Sequence, residues 1–560
     1  MNDSLNPWTA NKNANACDES LVFDLSLTIN GKKYTIPGAN VKQCHIDAFS
    51  YGFTSQLGFY LPNDQRDDEL ITSFATEDLI SVELQVKAVH NLPDPAPKAL
   101  ILKGLVTQKS VYEQAYRQVS GAPVLYRYYQ ISFADPARVL WKQHYPCELY
   151  VDDTFSTVIN AQVVSPIDLT LDFSPLDEQK PLICLSLGNT ETTHHGETGT
   201  TNQASFYDFL VDYLARNNGF LNYDYESNAY TISGDEAPLQ AGTAFLPYEV
   251  TRIESRWPET PRTVMRLLNG TVDSSKQEEV DNSLAVDGIK HDVMLRHTIE
   301  SRFTSRKDLE SNKLRKQGQQ LTAWLSQWPM QDFWPHKSFS MDKSADGSTF
   351  LHTSKTYRVN ALSISAVALD DSPEHDVDLE YTQYRLVYKL SGHDSTSPQP
   401  ALPKYQSPRY PLYVEGIIVS EQGEDDEKAF DVPSNDDTGQ FEYKVNIPLW
   451  DLTIKVLLEP DFLNPHFYFP FYRNTKLLLG IDLLRAHVIR VLSWGEDVQL
   501  PMATQGNHIL FGKNSEDQTS MSHVYEDGKP VLAIKRNKDV DTELVQLEEG
   551  SLILQTCEEE

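Results

Sequence analysis

Few residues of this chain stand in spacings that support chemistry. His194-His195, with Glu191 or Glu197 beside them, carry donors for a metal ion. They fall in Gly188 to Thr201, a stretch of Gly, Asn, Thr, Glu and His that reads as a mobile surface loop. Flexible neighbours in a polar loop are poor ligands, so no metal residue is assigned. The acidic runs Glu424-Asp425-Asp426-Glu427 and Asp436-Asp437 invite comparison with calcium loops, but the EF-hand spacing is absent. Solvated loops are the expectation there. The aromatic residues of Phe467 to Tyr472 could stack on a sugar; a barrel core or a trimer interface is the preferred reading. No G-x-S-x-G, H-E-x-x-H, G-x-x-x-x-G-K or G-x-G-x-x-G occurs. No catalytic or cofactor-binding residue follows, and no cofactor is expected.

Composition narrows the class. The 560 residues carry a net charge of −32, which argues against nucleic acid, because phosphate binding needs clustered Lys and Arg. With 23% charged and 40% hydrophobic residues the chain has the balance of a soluble globular protein of three or four domains. Residues 1–20 are polar and rich in Asn, without the basic and apolar regions of a secretory signal, so synthesis and assembly in a cytoplasm are expected. No apolar run has the length to span a bilayer; Leu477-Leu478-Leu479-Gly480-Ile481 stops at Asp482. Cys17, Cys44, Cys147, Cys184 and Cys557 are scattered and lack CxxC spacing, so buried thiols are expected rather than disulfides or zinc.

The elements are mostly strands. Leu21 to Leu27 leads into Asn30-Gly31 and Tyr34 to Ile36, a hairpin signal. Strands are expected at Ser81 to Val86, Ala99 to Val106 and Tyr126 to Phe133, with a helix near Ser110 to Val119. Thr154 caps a short helix through Ala161, and strands follow at Leu169 to Phe173 and Leu182 to Leu187. Phe206, Phe209, Leu210, Tyr213 and Leu214 form one apolar stripe, which predicts a helix capped by Ser205 and ended by a left-handed Gly219. Phe220 to Tyr225 and Tyr230 to Ser233 make a hairpin after it. Strand character resumes over Tyr248 to Asn269, a long helix is expected over Lys307 to Trp328, and strands return at Lys337 to Met341, Tyr357 to Val367 and Tyr384 to Leu390. Five prolines between 398 and 411 mark a linker. Five strands between Tyr413 and Trp494 suit an OB-like barrel. The last segment, 506–557, has short strands and too few large apolar residues for a core of its own, so copies of the same chain are its simplest partners.

With these residues in view, the chain resembles the VgrG-like spike proteins of contractile injection systems, related to phage baseplate hubs and needles. Tyr126 to Trp141 is similar to the family's strand running into a Pro and a Trp. Ser205-Phe206-Tyr207-Asp208-Phe209-Leu210 resembles its helix start, and Gly219-Phe220 the glycine and strand that follow. Trp334 to Phe339, Tyr357-Arg358-Val359, Val414 to Val419, Asp437-Thr438-Gly439 with Val445-Asn446-Ile447 and Trp450-Asp451, and Gly506 to Phe511 resemble its later motifs in order. Asn474 stands at a usual glycine, Asp482 to Ala486 replaces a D-P-D-R-P turn, and Gly188 to Thr201 looks like an insertion. A type VI secretion spike, an extracellular injection particle and a phage tail all remain open.

The expected fold is therefore mainly β with minor α: two small β-barrels and a mixed insert forming a hub, then an OB-like barrel and a short trimeric β-stalk. The expected divisions are a polar N-terminal arm (1–20), a first hub barrel (21–150), a mixed insert with the helix–hairpin (151–250) and a second hub barrel with a long helix (251–390). A Pro-rich linker (391–411), the OB-like barrel (412–497) and an intertwined stalk (498–560) complete them. The resemblance implies a homotrimer that stacks on an Hcp-like hexameric inner tube, contacts baseplate proteins and carries a PAAR-like tip protein or effector. It further implies assembly in a bacterial cytoplasm, ejection with the tube and transient contact with a target membrane, with no nucleic acid partner. Some phage needles of this kind carry a muramidase between barrel and stalk, but the interval from Trp494 to Gly506 is too short for one. A trimeric receptor-binding fibre is the other alternative, and neither repeats nor a secretion signal supports it.

Overall fold

The structure, a computed structural model, describes residues 16–558 except 64–67, 90–98, 117–123, 189–202, 243, 246, 273–274, 298–299, 314–317, 330–332, 343–354, 399–400, 420–441, 458–470, 472, 494–505 and 513–516. The fold is mainly β, with five α-helices among the described residues. It divides into two compact units, one of residues 1–145, 159–177 and 204–407, the other of residues 146–158, 178–203 and 408–560.

In the first unit a thirteen-stranded sheet runs through nearly all the strands assigned to the hub. It begins with β1 (Cys17–Ile29) and β2 (Lys32–Ile36), joined at Asn30-Gly31, both with positive φ as a two-residue hairpin turn requires. Next come β3 (Val41–Phe49), β4 (Gly52–Pro62), β5 (Ile80–Ala88), β6 (Leu100–Tyr116) and β7 (Val124–Ala134). Their period-two pattern sets the buried face: Leu21, Phe23, Leu25, Leu27 and Ile29 of β1 are all buried, as are Val82, Leu84 and Val86 of β5. Pairing runs from β1 through β5, β6, β7, β4 and β3 to the strand Thr356–Ala368. That strand pairs Tyr381–Asp394, which returns to β1, so eight strands close a circuit.

Most of the strands expected in two hub barrels thus share one hydrogen-bonded sheet. The 14 residues of Tyr381–Asp394 explain how. At about 3.3 Å per residue it is long enough to hold different neighbours at its two ends. Tyr381 to Leu386 pair with β1, while Lys389 to His393 pair with Gln320–Leu325.

Three expected elements differ. Ser110 to Val119 is not helical: β6 continues as a strand to Tyr116, in register with β7 as far as Tyr116 opposite Val124. Val111 and Tyr112 suit a strand, and a partner strand close by in sequence decides the matter. The helix expected over Lys307 to Trp328 is placed instead at Glu300–Lys313, and Gln320–Leu325 is a strand. There Leu321, Ala323 and Leu325 are buried in alternation with Gln320, Thr322 and Trp324, a period of two rather than 3.6. The strand stretch Tyr248 to Asn269 is two strands in separate sheets, Val250–Arg256 and Val264–Asn269, with Pro258 and Pro261 between them.

The helix Phe206–Asn217 is where its stripe predicts. Ser205 Oγ accepts from Asp208 N at 3.2 Å, and Asp208 Oδ2 accepts from Ser205 N at 3.1 Å, a reciprocal capping box. Ser205→Ala should lower stability by about 1 kcal/mol, read as a shift in the urea midpoint. The helix ends on Asn218, at φ 56°, not on Gly219. Asn tolerates the left-handed region, and at Gly219 space is short instead: a Cβ there would lie 2.7 Å from Leu214 Cδ2, which would have to shift. The hairpin Phe220–Asp224 and Ala229–Ser233 follows, with Leu169–Asp172 added in parallel.

In the second unit Leu412–Val419, Glu442–Ile447, Leu452–Leu457, Ala486–Ser493 and Lys476–Ile481 form a closed barrel in that order. Its core of Ile418, Val445, Ile447, Ile454, Val456, Leu477, Leu479 and Ile481 extends onto Leu149, Leu182 and Cys184. Those three belong to a two-stranded sheet, Cys147–Asp153 with Lys180–Ser186, which packs with the barrel although it lies far upstream in sequence. The chain closes with a five-stranded antiparallel meander: Gly506–Gly512, Asp517–Glu526, Lys529–Lys538, Asp541–Glu548 and Ser551–Cys557.

Candidate assembly surface on the C-terminal sheet

Opposed residues in an antiparallel pair point to the same face, so the register of the meander fixes its two surfaces. Ile509 opposes Met521, Met521 opposes Ile534, Ile534 opposes Val545 and Val545 opposes Leu554. One apolar row therefore crosses all five strands. The next row on that face reads Asn507, His523, Leu532, Leu547 and Leu552. The other flanking row, Phe511, Thr519, Arg536, Glu543 and Thr556, returns to polar chemistry, with Arg536 and Glu543 paired at 3.0 Å.

These apolar side chains face solvent in the single chain. Leu552 is 62% exposed and Leu554 72%, with Ile509, Ile534, Val545 and Leu547 between 41% and 49%. Among the described residues of the meander, Val531 is the one buried apolar side chain. A sheet without a core, with an apolar face and two open edges, is stable only when another surface covers it. The turns are well made: Asp527-Gly528 takes positive φ at both residues, and Gly550 does so in the last hairpin. The turns specify the sheet, and its apolar side chains stand exposed.

Two buried polar clusters in the first unit carry reactive residue types. In one, Glu236 lies between Arg358 (Nε to Oε2, 3.0 Å) and His393 (Nε2 to Oε1, 3.1 Å), all at most 10% exposed. Arg358 Nη1 donates to Ala237 O at 2.6 Å, and His336 Nε2 donates to Ser50 O at 3.2 Å. Burial, and then the Arg358 charge, push the His336 imidazole down to about 4. The cavity beside them leaves about 10 Å³, room for one water and no substrate. In the other, Asp135 is buried and accepts from Tyr230 Oη (2.6 Å), Arg138 N (3.0 Å) and Phe53 N (3.1 Å). Burial raises its carboxyl above the usual range despite those bonds. Both clusters tie the helix–hairpin segment to the strands of the same unit.

The His336 shift sets a pH dependence. The unfolded imidazole titrates near about 6.5 and binds more protons than the folded one between there and about 4. Its contribution is complete above that window and is lost as pH falls through it, about 3 kcal/mol in all. Urea midpoints measured at pH 7.5 and 4.5 should fall less in His336→Asn than in the parent, Asn being chosen because residue 336 sits at φ 80°.

The residues first considered for chemistry are not gathered into a site. Glu191, His194, His195, Glu197, the acidic residues 424–427 and Asp436-Asp437 lie outside the described residues. Of residues 467–472 only Phe471 is described: its ring packs 5.2 Å from Tyr443, and its N–H donates to Tyr443 Oη, which places it against the barrel core. Among the described residues no group of three His, Cys, Asp or Glu side chains is placed to hold a metal. Asn474, at a position where glycine was expected, takes φ 64°, the conformation that makes glycine or asparagine suitable there. Sequence reasoning found short strands over 506–557 but not the continuous rows, which depend on register across four hairpins.

The architecture defines a class: a large thirteen-stranded sheet with a helix–hairpin insert, a closed five-stranded barrel and a five-stranded β-meander. Solved structures share it. The chain matches structures of the Francisella PdpA–VgrG complex in lidded and half-lidded forms, and of the PdpA–VgrG complex in a lidless form. TM-scores are 0.69, 0.68 and 0.69, at 13% identity, over 97% of this chain and 81%, 89% and 100% of theirs. At that identity the likeness is one of fold. No protein-family profile matches the chain, and no curated protein matches it in sequence.

Proposed function

We propose that this chain is a non-enzymatic structural spike of a contractile injection machine, working as a homotrimer. The observation that carries the reading is the solvent-facing apolar face of the C-terminal sheet, and the occupant is further copies of the same chain. Copies of one sheet supply matching apolar rows and can satisfy each other's open edges, which a closed symmetric assembly does without leaving a free surface. The fold shared with the PdpA–VgrG structures supports the same reading.

In this proposal the hub sheets of three copies form a ring that stacks on an Hcp-like hexameric tube and meets baseplate proteins. The OB-like barrels and the intertwined stalk continue it to a PAAR-like tip protein or effector. The machine is assembled in a bacterial cytoplasm, and the spike leaves with the tube when the sheath contracts and crosses a target membrane. The chain contributes mechanical integrity, because many backbone hydrogen bonds of a meander must break together. Electron micrographs of the purified full chain test this: a threefold rod below a broad ring, able to bind the end of a tube-protein hexamer, is expected. Isolated globular particles that ignore the tube protein would exclude it.

A further inference from the structure

The apolar face carries one titratable side chain in its middle rows. His523 sits opposite Leu532 on one side and Asn507 on the other, with Leu547 and Leu552 further along the same row. Along its own strand Met521 and Tyr525 share its face, and its ring meets Tyr525 edge-on at 5.4 Å. Charged groups stand at the edge of this face: Lys529 and Glu549, paired at 2.5 Å and about two-thirds exposed, line one open depression with Glu548, His523, Leu532 and Leu547. The Arg536–Glu543 pair is beyond the Ile534 row.

We infer that His523 makes assembly of the C-terminal sheet acid-sensitive, because each copy added to this face covers an imidazole that must then be neutral. The inference rests on the proposal that copies of this chain cover the face. The imidazole's directly opposed neighbours are an amide and a leucine; of the two carboxylates that line the same depression, Glu549 pairs with Lys529 and Glu548 accepts from Gln546 Nε2 at 3.3 Å. An imidazolium covered by a second copy beside Leu532 loses its hydration, which disfavours its charged form. Imidazole changes charge between pH 5 and 8, so the effect falls in an accessible range. The sign follows: the covered state binds fewer protons than the open one, and assembly weakens as pH falls.

Sedimentation of the full chain at pH 7.5 and 5.5, with His523→Leu and His523→Asn alongside, tests it. The parent should lose affinity between copies by roughly tenfold or more on acidification, because covering a protonated imidazole requires its proton to be shed first. Both variants should lose much less over the same interval. His523→Asn keeps a polar group and cannot titrate, so it separates charge from packing if the leucine variant misfolds. The variants retain His336 and every other histidine, so a slope common to all three proteins overturns the inference while leaving a multimeric spike in place. Stronger assembly in acid also overturns it, because His523 would then meet a carboxylate of another copy. A parent that is monomeric at both pH values overturns the assembly reading, and the inference with it.

Discussion

Ile534→Glu combined with Val545→Glu should convert the multimer to single chains. The two residues are directly opposed at the centre of the apolar row, 42% and 41% exposed in the isolated chain. Covering a large aliphatic side chain contributes about 1.5–3 kcal/mol. A carboxylate at the same point must be desolvated without a partner, at several kcal/mol more, so every copy is penalised twice. Loss of affinity by at least about a thousandfold is expected, seen as a monomer in sedimentation at concentrations where the parent is multimeric. Because both positions lie in the second unit, the first unit of each chain should remain folded in the monomer. A multimer that survives both substitutions would place the contact between copies elsewhere.

Arg358→Ala should be the most damaging single change in the first unit. It removes the guanidinium that lies against Glu236 and donates to Ala237 O, so the buried Glu236 carboxylate loses its cationic neighbour. Breaking a buried pair by deleting one partner typically costs about 3–5 kcal/mol, because an uncompensated charge remains. Glu236→Gln in the same background should restore part of that loss, which a double-mutant cycle in urea measures directly. The His336 imidazole should also rise in Arg358→Ala, since the adjacent positive charge that helps to hold it down is gone. An Arg358→Ala protein within about 1 kcal/mol of the parent would mean that water already screens this cluster.

Much of the architecture is legible in the sequence because it depends on local pattern. The alternation of Leu21 to Ile29, the Asn30-Gly31 turn, the stripe of Phe206 to Leu214 and the strands of the closed barrel all follow from spacing between near neighbours in the chain. The misses share a cause in tertiary contact. Gln320–Leu325 and the outer half of β6 are strands because partners at Lys389–His393 and Val124–Ile131 hold them, and composition does not show a partner. Likewise, Gly219 reads as a helix stop although Asn218 performs that role, and only the packing of Leu214 and Phe173 explains the glycine. The buried clusters at Glu236 and Asp135 draw on residues far apart in the chain, Asp135 with Phe53 and Glu236 with Arg358, which no motif spacing anticipates. For the assembly surface, the strands can be read one at a time. Whether Met521, Ile534, Val545 and Leu554 fall on one face depends on the length of each turn, since a slip of one residue would scatter them over both.

The most direct test of the account is the mass of the full chain in solution, by light scattering at neutral pH and moderate salt. The account predicts a single species of three times the mass of the 560-residue chain, unchanged on dilution to nanomolar concentration. A monodisperse monomer with an ordered C-terminal sheet would contradict it.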